Sequence, residues 1–89
     1  VSTEHKLVLI EWVDSYGCSS DWRSIEGCDP KPTVCRSVGW LVHEDEKCKT
    51  IVPHICEQEG QGCGDMTIPT EAIKSVVALG QIAPREVSP

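Results

Sequence analysis

Asp14, Ser15, His43 and His54, with Cys35 or Cys56 as an available thiol, are the residues of this chain whose types could carry nucleophilic chemistry. A Ser or Cys nucleophile needs a base within hydrogen-bond reach, a third group to orient that base, and an oxyanion hole beside it. The spacing supplies none of these locally. His43 falls where a strand meets its turn, His54 beside the irregularity of Pro53, and Asp14-Ser15 ends a strand, where an Asx or ST turn satisfying nearby backbone groups is the simplest role. No catalytic residue is assigned. A small hydrolase-like enzyme using His54 with a nearby Ser or Cys stands as the alternative to a binding protein.

Cys18, Cys28, Cys35, Cys48, Cys56 and Cys63 can be read as a disulfide framework or as free thiols. Disulfide-dense domains usually compensate for a missing core, whereas this chain has several apolar strands. Cys35 falls inside one of them and Cys56 closes another, positions where a free thiol packs as a small apolar residue. Reduced thiols in the cytoplasm are therefore expected, and a disulfide-stapled secreted module is the alternative. No Cys-x2-Cys pair exists, and His54-x-Cys56 followed by Cys63 is not a zinc-knuckle spacing. Alternation does put His54 and Cys56 on one face of a strand, but neither metal nor cofactor is assigned.

Charge narrows the partners. Fourteen acidic residues against eight basic ones give a net charge of −6, and Lys6, Lys31, Lys47, Lys49 and Lys74 are scattered. Tracking a phosphate backbone needs clustered Lys and Arg, so nucleic acid is not an expected partner. No apolar run approaches the roughly 18 residues of a membrane span, which removes the bilayer as well. The glycine-containing stretch 57–65 lacks the Gly-x4-Gly-Lys-Ser/Thr pattern and precedes a strand, so it is no phosphate cradle.

The elements that must position these residues read as β-structure. Residues 7–13 form a first strand with Val8, Ile10 and Trp12 on one face and Leu7, Leu9 and Val13 on the other. Both faces want burial, which calls either for a tightly closed, covered barrel or for a subunit contact. A helical turn or two follows in 19–27, closed by Gly27, with Trp22 expected to lid the barrel. A Pro-constrained connector, 28–32, leads to a second strand over 34–43, in which the small residues Ser37 and Gly39 predict a bend or a close approach by a neighbour. Residues 44–47 are a solvated acidic turn. The third strand, 48–56, carries Pro53 and so belongs at an edge or bulge. A short fourth strand at 66–68, a helical turn at 69–72 and a last strand at 73–79 complete the domain, 1–80, and 81–89 is a tail.

Five strands with these two helical turns predict a mainly β fold: a small SH3-like or Sm-like barrel, or a strongly bent antiparallel sheet with one short helical insertion after the first strand. The string Ile10-Glu11-Trp12-Val13-Asp14-Ser15, then Trp22, then 37–45, then Val52-Pro53-His54-Ile55, then Ile68-Pro69-x3-Ala72-Ile73 resembles a group of small uncharacterised proteins of phages, prophages and bacterial mobile elements. The resemblance spans residues 7–79 and implies an accessory protein of a mobile element, with no activity to carry over.

A binding module is the expected function, acting on a protein or a small molecule and assembling with copies of itself, since small barrels expose strand edges that can pair with another chain. Its surface is expected where the insertion carrying Asp14 and Trp22, the strand carrying Trp40 and the loop after His54 converge, because binding residues concentrate on loops held by a rigid scaffold.

Overall fold

The computed structural model describes residues 5–82. The apolar, β-branched-rich run His5–Asp14 forms strand β1, and the sheet is built outward from it. Antiparallel to it on one side lies β2 (Thr33–Glu44), with Val8 opposite Gly39, Ile10 opposite Ser37 and Trp12 opposite Cys35. On the other side lies β7 (Ile73–Ile82), also antiparallel, with Ile10 opposite Val76. Strand β3 (Cys48–Val52) pairs with β2, and β6 (Met66–Pro69) pairs with β3. The five-stranded order is thus β6-β3-β2-β1-β7. Among the described residues β6 and β7 do not pair, so the sheet is open where a closed barrel was one of the two expectations.

The third expected strand is cut in two. Pro53 has no N–H to continue the ladder, and the chain bends there. Residues beyond it leave the sheet as β4 (His54–Cys56), which forms a separate hairpin with β5 (Gln61–Cys63) inside the stretch read as a loop. Helical turns occur in both expected places, each as a single 3-10 turn. In the first, Ile25–Gly27, the Ser24 hydroxyl accepts a bond from the Gly27 N–H at 3.2 Å. In the second, Thr70–Ala72, the Thr70 N–H donates to the Lys47 carbonyl at 2.8 Å and ties that turn to the β2–β3 hairpin.

The core lies on one face of the sheet. Val8, Ile10, Ile51 and Ile68 are buried together there, with Trp12, Leu41, Met66, Ala72 and Ile73 packed around them. Burying each aliphatic side chain contributes about 1.5–3 kcal/mol, so these four carry a large share of a small domain's stability. The Trp12 indole N–H donates to the Ser37 hydroxyl at 3.0 Å, so the small residue of β2 serves as a partner to the large one of β1. Gly39 shows why a second small residue is required two positions on. A Cβ at Gly39 would stand 2.9 Å from the Val52 carbonyl oxygen and 3.1 Å from the Ile51 Cβ. Both are held by the sheet and cannot swing aside, so Gly39→Ala is expected to cost roughly 1–3 kcal/mol in urea denaturation. A loss too small to measure would mean that β3 can move off β2.

Residues 15–32 are exposed at every position and do not cover the sheet. Trp22 is fully exposed, at 101% of its reference area, and Ile25 is nearly so. The expectation that Trp22 lids a barrel is therefore overturned. The connector carrying it contains Asp29-Pro30-Lys31-Pro32, whose prolines hold the chain extended and deny it a helix that could fold back.

Candidate functional site

The face of the sheet opposite the core is also apolar. Because paired residues of neighbouring strands share a face, Leu9, Val38 and Val77 form one row across β2, β1 and β7. Val13 and Val34 form a second row, and Leu7, Trp40 and Val52 a third. Between the first two stands a single ion pair, with the Arg36 Nε donating to Glu11 Oε2 at 3.3 Å. Val34, Val38 and Val77 are each about half exposed. Nothing among the described residues covers the middle of this face.

One end of it is covered. Val52 belongs to the outer row yet is buried, because the β4–β5 hairpin folds over it. A Cβ added at Gly62 would come 3.3 Å from Val52 Cγ1 and from the His54 carbonyl, which shows how close the hairpin lies. A cavity of about 490 Å³ remains between hairpin and sheet, lined by Val42, Thr50, Val52, Ile55, Cys56 and Gln61 among others. Its walls are mainly apolar, and the polar groups of Thr50, Cys56 and Gln61, the His5 imidazole and the carboxylates of Glu57 and Asp65 also line it.

At the tip of the β2–β3 hairpin the side chains of His43, Asp45 and Cys48 converge. Their ligating atoms all lie within 4.8 Å of one another. His43 Nε2 lies 2.8 Å from Asp45 Oδ2, while Asp45 Oδ1 accepts the backbone N–H bonds of Lys47 at 2.7 Å and Cys48 at 2.9 Å. The hydrogen bond with His43 first, and then these two amides, hold the Asp45 carboxyl down to about 2. Burial first, and then the negative charge of Asp45, push the Cys48 thiol up. The nearby pair between Lys49 Nζ and Glu44 Oε2, at 2.7 Å, lowers the Glu44 carboxyl below its ordinary value.

The residues singled out from sequence fall at both ends of the molecule. Asp14 ends β1 opposite Thr33, and its carboxylate accepts the Ser15 backbone N–H at 2.8 Å, the local turn bond read from sequence. Trp22 stands on the exposed connector beyond that end. Trp40 lies opposite both Leu7 and Val52, and His54 follows two residues after Val52 on the hairpin, so these two share the other end. Seven strand positions separate the Leu7–Trp40 pair from the Asp14–Thr33 pair. That is a separation of roughly 23 Å, so the four residues do not form one site.

The same geometry bears on nucleophilic chemistry. Asp14 and Ser15 lie at the far end of β2 from His43. His54 stands opposite Cys63 and two residues from Cys56, on an exposed face of the hairpin. No hydrogen bond joins His54 to either thiol, nor orients its ring, among the described residues. The six cysteines are all unpaired, and none lies directly opposite another across any ladder.

The convergence of His43 with Asp45 and Cys48 was not evident from spacing. The signal available was His-x-Asp-x2-Cys around a two-residue turn, but it depends on a register irregularity. Leu41 pairs with Ile51, yet His43 pairs with Thr50, so Val42 is an extra residue on β2. In comparisons with known proteins, no family model matches the chain, no curated protein matches it, and no solved structure matches it.

Proposed function

We propose that this chain is a non-enzymatic interaction module of the SH3-like or Sm-like kind that pairs with a second copy of itself through the outer face of its sheet. As the resemblance in its sequence implies, it serves as an accessory protein of a phage or other mobile element, and its unpaired thiols fit a place in the cytoplasm. The observation carrying the proposal is the row of half-buried Leu9 with exposed Val38 and Val77, flanked by half-buried Val13 and exposed Val34, on a sheet whose other face already holds the core. An apolar face of this kind marks a contact surface.

A copy of the same chain fits better than an unrelated occupant because the Arg36–Glu11 pair at the middle of the face is self-complementary. Across a two-fold axis, Arg36 of one copy meets Glu11 of the other and the reverse, which is the reciprocity an isologous interface requires. Five strands with β7 returning beside β1 after a single 3-10 turn support the SH3-like or Sm-like reading.

The test is the native mass by light scattering across a dilution series. The unaltered chain is expected as a dimer, and Val38→Glu, which points into the interface and not the core, as a folded monomer. Arg36→Glu is expected to weaken association by at least about tenfold, and Glu11→Arg combined with Arg36→Glu to restore it, since close interfacial charge pairs couple by roughly 1.5 kcal/mol or more. A monomeric unaltered chain at high concentration would refute the proposal. The cavity beneath the β4–β5 hairpin favours a second reading, a small apolar ligand. That reading predicts that placing a charge in the apolar lining with Ile55→Asp abolishes ligand-induced thermal shifts and leaves the native mass unchanged.

A further inference from the structure

We propose that the tip of the β2–β3 hairpin is a metal site, in which His43 Nε2, one Asp45 carboxylate oxygen and Cys48 Sγ hold a zinc-class divalent cation with one coordination position left open. Three kinds of observation carry this, independently of the outer face of the sheet.

The donor set is chemically selective. A thiolate, an imidazole and one carboxylate suit zinc, cobalt and their neighbours rather than calcium or magnesium, which prefer all-oxygen shells. Three protein ligands with an open fourth position are the arrangement of sites that exchange a water or a further donor.

The geometry is also close to what a tetrahedral ion requires. Bonds of about 2.0–2.1 Å to nitrogen and oxygen place those two ligand atoms roughly 3.3 Å apart. His43 Nε2 and Asp45 Oδ2 are now 2.8 Å apart, so a cation entering between them replaces their hydrogen bond and moves the two atoms apart by about half an ångström. The sulfur already lies within 4.8 Å of both.

Finally, the backbone holds this arrangement in place. With regular pairing after Leu41 and Ile51, His43 would lie opposite Lys49 and point to the other face from Cys48. The extra residue Val42 puts His43 opposite Thr50, on the face that Cys48 shares two residues on. Asp45 is fixed by the N–H groups of Lys47 and Cys48 on Oδ1, which leaves Oδ2 directed at His43. These amide bonds do for the carboxylate what outer-shell partners do in known metal sites. The hairpin is anchored in turn by the bond from the Thr70 N–H to the Lys47 carbonyl. Binding displaces the Cys48 proton to solvent and the His43 proton from Nε2, which moves to Nδ1 of the neutral ring, and the cation takes the lone pairs of the sulfur and of Nε2.

Cobalt(II) added to the full-length reduced chain tests this. One equivalent is expected to bind with a thiolate-to-cobalt charge-transfer absorption that zinc(II) bleaches by displacement. Cys48→Ser should remove that absorption, and His43→Gln should weaken binding by more than about tenfold, a larger loss than the smallest seen for outer-shell partners. His54→Ala combined with Cys56→Ser and Cys63→Ser should leave both unchanged. Should Cys48→Ser not fold, the unaltered chain still decides: zinc is expected to protect Cys48 from alkylation, read by peptide mass. Absorption that survives Cys48→Ser, or equal alkylation of Cys48 with and without zinc, would overturn the proposal.

Discussion

Ile10→Ala is expected to remove about 2–5 kcal/mol of stability, most of what a domain of this size has. Ile10 is completely inaccessible and lies at the middle of β1, the strand that both β2 and β7 pair with. Its neighbours across the ladders are Ser37 and Val76, neither of which can reach into the space left by three lost carbons. The sheet cannot close around the hole without breaking two ladders, so the cavity persists and its cost adds to the lost transfer energy. Few other buried apolar residues share the load, since only Val8, Ile51, Val52 and Ile68 are also buried among the described residues. Urea denaturation should show a lowered midpoint with an unchanged slope, and Ile10→Val should cost only about 0.5–1.5 kcal/mol. A loss below about 1 kcal/mol for the alanine variant would mean that the core is not organised around this residue. The measurement should be made at two protein concentrations, because association stabilises the folded state by mass action.

Trp12→Ala is expected to have the next largest effect, about 3 kcal/mol, near the low end for a large aromatic because the ring is half-buried. Trp12 packs against the edge of the core, opposite Cys35 on β2 and Ile73 on β7. Its ladder with β7 is irregular there, Glu11 pairing with Ser75 and Trp12 with Ile73, so Lys74 is an extra residue that re-aims the strand beside the ring. Truncation removes the packing that supports this irregularity as well as the indole bond to Ser37. The two contributions separate in a cycle. Trp12→Phe keeps most of the ring and loses the bond, for about 1 kcal/mol, and Ser37→Ala should cost a similar amount. If the double variant costs no more than either single one, the bond is the shared contribution; full additivity would show that it contributes nothing.

Much of the fold was legible because strand alternation is a local property. The two apolar sets of β1, Val8-Ile10-Trp12 and Leu7-Leu9-Val13, do point to opposite faces, and the small residues Ser37 and Gly39 do lie against larger neighbours. Pro53 was correctly placed as an irregularity, but its consequence was larger than an edge or bulge. Once the ladder hydrogen bond is lost, the three residues after it find a better partner in 61–63, a run with two small residues that propensity alone would not make a strand. Trp22 misled because a Trp is usually covered. Whether the chain that carries it can fold back depends on the prolines after it and on the space above the sheet, and the second of these is not a local quantity.

The candidate sites were less legible for the same reason. His43, Asp45 and Cys48 are close in sequence, yet which face each takes depends on register, and a shift of one residue reverses a side chain's face. That shift occurs at Val42, where nothing in the residue types marks it. By itself the sequence determined what each residue can do locally: the strands and their two-sided apolar character, the two helical turns, the break at Pro53 and the negative charge. Only the tertiary structure decided that the sheet stays open, that β1 and its neighbours present their second apolar face to solvent, and that a thiol, an imidazole and a carboxylate meet at one hairpin tip. Those outcomes are set by pairings between distant segments, whose energies come from ladders and packing that no short window of sequence contains.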